Sequence, residues 1–133
     1  MRTKRFDGWL TSAVLGHLFI TVLHGRAHDG GHVAITPAQS LFVYGVILIG
    51  PIAGLAVSFA ARRIGGLVVA VTMGASLLFG LINHFIIVSP DHVSQVVPAF
   101  RTAFAATAVL LVVSEAAGVV AGLRSAVGRE VLS

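Results

Sequence analysis

Apolar residues do not alternate with polar ones along this chain; they fill four long runs broken by short polar interruptions. The runs cover about residues 9–28, 37–61, 64–88 and 98–123, and each reaches the roughly 20 residues that a helix needs to cross about 30 Å of hydrocarbon. The interruptions carry helix-end signals. Asp29-Gly30-Gly31 stops the first run, Thr36-Pro37 starts the second with a hydroxyl cap ahead of a proline, and Arg62-Arg63 separates the second from the third. Ser89-Pro90-Asp91-His92 reads as a turn or the start of a short interfacial helix before the fourth. Pro51, flanked by Gly50 and Gly54, is expected to kink the second helix. The small residues of the third run (Gly65, Gly66, Gly74, Ala75, Ser76, Gly80), with Gly118 and Gly122 of the fourth, suit close helix contact in lipid. The expected fold is all-α: a single membrane domain over residues 1–133, built as an integral four-transmembrane-helix bundle.

Composition agrees with the pattern. Hydrophobic residues make up 56% of the chain, charged residues 11%, and the mean hydropathy is +0.96, too few charges to cover a soluble surface. A net charge of +4 raises nucleic acid as a partner, but the basic residues punctuate apolar runs instead of clustering on one solvated face, so no nucleic-acid partner is expected. The lipid bilayer is the expected surrounding. Arg2, Lys4, Arg5, Arg62, Arg63, Arg124 and Arg129 flank one set of helix ends, against only Arg26 and Arg101 at the other. The positive-inside rule therefore predicts a multi-pass protein of the cell membrane, N-in/C-in, with both termini cytoplasmic and residues 29–34 and 89–97 facing outward. The N-terminal charged and apolar stretch is signal-like, but His17 interrupts it and no small-x-small cleavage site follows, so it is read as a retained first helix.

Depth then sorts the histidines. His24 and His28 lie in the last turns of the first helix, His32 in the loop after it, His84 in the last turn of the third and His92 in the following loop; only His17 is deeper. Steps of seven and eleven residues from His17 return within about 20° of the starting direction, so His17, His24 and His28 form one stripe. Polar rings in a membrane segment favour the bundle interior over lipid. His24 and His84, each about four residues from the outer end of their helices, are expected at one depth. The spacing of eight from His24 to His32 recurs from His84 to His92, as two antiparallel hairpins of equal length would produce with or without duplication.

Imidazoles at i and i+4 converge on one ion, and histidine is the commonest ligand of zinc, copper and iron. The expected site is a transition-metal centre near the outer face, with His24, His28 and His84 as ligands. His32, His92, Asp29 and Asp91 can assist, and Asn83, Gln39 and Tyr44 supply supporting polar contacts. HGRAH lacks the acidic residue of HExxH, so a zincin reading fails. With no cysteine in the chain, thiolate ligation and disulfides are excluded. His17 and Glu115, at matched depth, are expected to pair as a proton relay or a structural contact. Two alternatives remain. One is a cytochrome with haem b held axially by His24 and His84. The other is an accessory or assembly subunit of a larger membrane complex with no site of its own. Transport would require a homo-oligomer, since one copy offers little room for a pathway.

Overall fold

The structure, a computed structural model, describes residues 6–128. Helix α1 spans Gly8–Gly30 and begins at Asp7, whose carboxylate accepts the Leu10 N–H at 3.1 Å. It ends where Gly31 returns its N–H to Ala27 and His32 takes a left-handed backbone with φ of 54°, turning the chain. Helix α2 spans Pro37–Ser58 and opens with a reciprocal cap: the Thr36 hydroxyl accepts the Gln39 N–H while the Gln39 side chain accepts the Thr36 N–H. Helix α3 spans Arg62–Ile86, and α4 spans Pro98–Val127 behind a short 3-10 turn, Val93–Gln95. All four are long and apolar enough to cross a membrane. Their bounds lie within four residues of those expected from the sequence.

Two stretches depart from α geometry. Val43–Ile49 of α2 and Ile82–Ile86 of α3 are wound with i→i+5 spacing. The first leads directly into Gly50-Pro51. A wide turn thus stands directly before Pro51, where the sequence reading expects a kink.

Packing runs around the bundle from α1 to α4, α4 to α3 and α3 to α2, while α1 meets α2 mainly at the latter's Gly50–Ser58 end. The α3–α4 crossing depends on two glycines facing each other. A Cβ on Gly66 would lie 2.6 Å from the Gly122 carbonyl oxygen, and one on Gly122 would lie 2.6 Å from that of Gly66. Leu10, Val14, Val69, Met73 and Ala121 fill the core around this level; Ala27, Val96 and Phe104 fill it at the histidine end.

Polarity is inverted relative to a soluble domain. Phe19, Leu41 and Val71 are 66%, 76% and 68% exposed, whereas His17, His24, Ser76, His84, Asp91, Glu115 and Ser125 are buried. An exterior of that kind suits lipid, and interior polar groups then need partners inside the bundle. At the positively charged end the Arg62 guanidinium donates to the Asp7 carboxylate at 3.0 Å and to the Ser125 hydroxyl at 3.4 Å, tying the starts of α1 and α3 to the end of α4.

Replacing Gly122 with leucine should force α3 and α4 apart at a cost of about 1–3 kcal/mol, read as a lowered thermal midpoint in detergent, with alanine intermediate. Asp7 gives a second test. Burial raises its pKa, but the Leu10 N–H, the Ser125 hydroxyl and the Arg62 charge outweigh burial and leave it below the ordinary aspartate value. A lowered folded pKa stabilises above the unfolded value, about 3.9, and that contribution is lost as pH falls through the folded one. The stability difference between the native chain and D7N, measured against pH, should therefore shrink on acidification below about pH 4; a constant difference would refute this role.

Candidate metal centre

The inward face of α1 follows a seven-residue repeat: Leu10, Val14, His17, His24 and Ala27 are buried, and His28 is half-buried beside them. His84 sits in the i→i+5 turn of α3 and is buried opposite. The result is a cluster in which one ligand atom from each of His24, His28 and His84 lies within 4.8 Å of the others. Phe104 of α4 packs against all three rings, with centroids 4.8, 5.0 and 5.1 Å away. Three imidazoles this close, two of them buried, are near enough to hold a metal ion.

Hydrogen bonds fix how the rings present themselves. The Thr107 hydroxyl lies 2.8 Å from His24 Nδ1, 2.8 Å from the Ala103 carbonyl and 3.1 Å from the Phe104 carbonyl, so it holds the ring while either donating to Nδ1 or accepting from it. On the other side His84 Nδ1 lies 3.0 Å from the Asp91 carbonyl oxygen, which only accepts, so Nδ1 carries the proton and the Nε2 of the neutral ring is a bare lone pair. That lone pair faces His24 Nε2 at 3.2 Å, where either a proton on His24 Nε2 or a metal ion between the two nitrogens satisfies it. Tetrahedral zinc with Zn–N bonds of 2.0–2.1 Å sets its nitrogens about 3.3 Å apart. The observed separation matches that edge.

Asp91 adds a carboxyl group. It is 2% exposed, with Oδ1 3.3 Å from His28 Nε2 and 3.2 Å from His84 Nδ1, distances of ion pairing without hydrogen-bond alignment. A carboxylate so placed would favour a cation within the cluster.

The other expected residues divide. Asn83 accepts from Gln39 at 3.3 Å and donates to the Phe79 carbonyl, linking the start of α2 to the turn that carries His84. Tyr44 and Asp29 line the cavity beside the cluster but are exposed. His92 instead caps the 3-10 turn: its Nδ1 is 3.1 Å from the Ser94 N–H and 2.7 Å from the Ser94 hydroxyl. His32 is exposed in the left-handed turn, so the two loop histidines differ in conformation and role despite their equal spacing.

The pairing expected of His17 and Glu115 is corrected. His17 Nε2 lies 3.1 Å from the Ile47 carbonyl and its Nδ1 has no partner, while Glu115 makes no hydrogen bond or ion pair among the described residues. Pro51 explains the attraction. The last wide-turn bond runs from Gly50 N–H to Gly45, and Pro51 then has no N–H to give to Val46 or Ile47. His17 supplies the missing donor. Glu115, 2% exposed, instead lines a cavity of about 540 Å³ that also touches His24, His28, His84 and Asp91. Thr107, Phe104 and the Asp91 carbonyl are site elements that the sequence reading did not single out.

Comparison with protein families, curated proteins and solved structures finds no match to this chain.

His17→Leu should cost about 1–3 kcal/mol by leaving the Ile47 carbonyl unpaired. Adding Pro51→Ala, which restores an amide donor, should recover part of that loss in thermal unfolding. Strict additivity of the two would contradict the proposed exchange of donors.

Proposed function

We propose that this chain is a multi-pass membrane protein holding a four-coordinate transition-metal ion, zinc being the best fit and copper or iron the alternatives, between His24, His28 and His84. One observation carries the reading: His24 and His84 hold their Nε2 atoms 3.2 Å apart, close to the edge of a tetrahedral zinc site, while a partner engages each Nδ1 from behind. Metal-bound imidazoles characteristically give their other N–H to a carbonyl, carboxylate or hydroxyl, and Asp91 and Thr107 stand in that position. Three histidines would leave a fourth place on the cavity side, the arrangement of catalytic zinc sites, which activate water or polarise an oxygen at the open position. Binding alone, or hydrolytic or redox chemistry on a molecule in the cavity, would use the same centre.

The haem alternative is less well supported. Axial nitrogens trans across one iron at about 2 Å each stand about 4 Å apart, with a porphyrin between them. Here the His24 and His84 rings are in contact, centroids 4.9 Å apart, and Phe104 fills the space beside both. The distribution of Lys and Arg supports a topology with the cluster near the outer membrane face and both termini inside.

Zinc titrated into the purified chain should bind one ion per copy, releasing protons as pH falls because the ligand nitrogens must be bare. His24→Ala or His84→Ala should abolish binding, and Thr107→Val should weaken it about 10–100-fold by removing the hydroxyl that holds the His24 ring. Binding of zinc, copper and iron all unchanged in H84A, or absent from the native chain, would overturn the centre and leave the accessory-subunit reading. For topology, Ala34→Cys in this cysteine-free chain should react with an impermeant maleimide on intact cells; reaction only after lysis would reverse the orientation.

A further inference from the structure

The cavity that touches the histidine cluster extends well beyond it. Glu115 lies eight residues further along α4 than Thr107, the partner of His24, which places it about 12 Å away along the helix axis. The cavity wall includes Ile47, Gly80, Ala108, Leu111 and Val112, and the hydroxyls of Thr21 and Ser76, which also line it, are turned back onto carbonyls of their own helices. Its volume, about 540 Å³, falls within the range of small-molecule sites. Because α1 and α2 meet mainly at the Gly50–Ser58 end, the seam between them is less closely packed toward the histidine end, where the exposed Val22, Ile35 and Tyr44 line the cavity together with Arg26 and Asp29.

Glu115 is the feature that calls for an occupant. A carboxyl group that is 2% exposed and makes no hydrogen bond among the described residues is costly in apolar surroundings. A carboxylate needs a donor and a carboxylic acid needs an acceptor; a hydroxyl provides either. Val22, Ile35 and Tyr44 are exposed on the apolar flank of the bundle, so a molecule that reaches the cavity past them from a bilayer must itself be lipid-soluble.

We propose that the cavity binds a lipid-soluble alcohol that enters between α1 and α2, lays its apolar body along Ile47, Leu111 and Val112, and hydrogen-bonds its hydroxyl to Glu115. The site rests on the membrane reading but needs no metal. The ion, where bound, would face the same cavity from its other end, so this molecule and the metal centre share one chamber.

The test uses the full chain in nanodiscs without added metal. The probe is decanol carrying a mid-chain diazirine and a terminal alkyne, with cross-links mapped by mass spectrometry. Labels should fall on Ile47, Leu111 or Val112 and be displaced by excess decanol. Glu115→Leu should reduce labelling about tenfold, the loss of one hydrogen bond to a charged or strongly polar group, whereas E115Q, which keeps a donor and an acceptor, should retain most of it. Gly80→Leu should block labelling sterically. A Cβ at Gly80 meets nothing closer than His84 Cδ2 at 3.8 Å, so this variant has room to fold while filling the chamber. Equal labelling in native chain and E115L, equal labelling by the methyl ether of the probe, or labels confined to outward residues such as Leu15, Phe19 and Val71 would overturn the proposal. Zinc binding by E115L, measured separately, should match the native chain, so that loss of one site is distinguishable from loss of the other.

Discussion

The apolar exterior of this bundle imposes the constraint from which the rest follows: polar groups buried within it must find their partners inside. In water an unpaired carbonyl or imidazole costs little, because solvent serves as its partner. In surroundings without solvent each such group costs several kcal/mol. The interior contacts of this chain read as answers to that cost. Pro51 leaves the turn at Ile47 short of one amide, and His17 fills the gap from a neighbouring helix. The hydroxyls of Thr21, Thr72 and Ser76 turn back onto carbonyls one turn earlier in their own helices. Asn83 and Gln39 satisfy each other across two helices.

Against that background the histidine cluster and Glu115 stand out, because internal pairing stops short there, as it does at the unpartnered Nδ1 of His17. At His24 and His84 the second nitrogen of each ring is engaged, and the engagement turns the two Nε2 atoms toward each other. Asp91 lies within ion-pairing range of two rings but aligned with neither. Polar groups held in place yet incompletely satisfied are what a ligand site looks like before its ligand is considered, since supporting hydrogen bonds fix ring orientation in advance of binding.

Much of this was legible in the sequence. Four apolar runs with capping residues at their ends gave the helices to within a few residues, and counting from helix ends put His24 and His84 at one depth. The i, i+4 spacing correctly grouped His24 with His28. Depth, however, is only one coordinate. His17 and Glu115 match in depth, but whether two residues meet also depends on direction around each helix, and that is set by packing. A stretch of i→i+5 winding adds a residue to a turn and rotates everything beyond it by up to about 100°; nothing in VYGVILI or INHFI announces it. Thr107 was illegible for another reason. One threonine in an apolar run normally bonds its own helix, and this one lies within reach of its own carbonyls while its oxygen also meets His24 Nδ1.

The same geometry bears on how a metal would act on the bundle. Helices α1 and α3 stand diagonally, each packed on α4, and at the histidine end they meet through His24 and His84 rather than through an apolar seam. Small residues that let helices approach closely are concentrated elsewhere, at the Gly66–Gly122 crossing and around Gly54 and Gly65. The end with the histidines is therefore held by fewer close backbone contacts and more side-chain polar ones, and it is also where the α1–α2 seam is less closely packed. An ion bridging α1 to α3 would supply there the cross-link that apolar packing supplies at the opposite end. The Nε2 atoms of His24 and His84 already stand 3.2 Å apart, so an ion between them would need little movement of α1 against α3, and the adjustment would fall on the half-buried His28. Such a centre would join coordination to the chamber beside it, with one i→i+5 turn in α2 along that chamber and the other in α3 carrying His84.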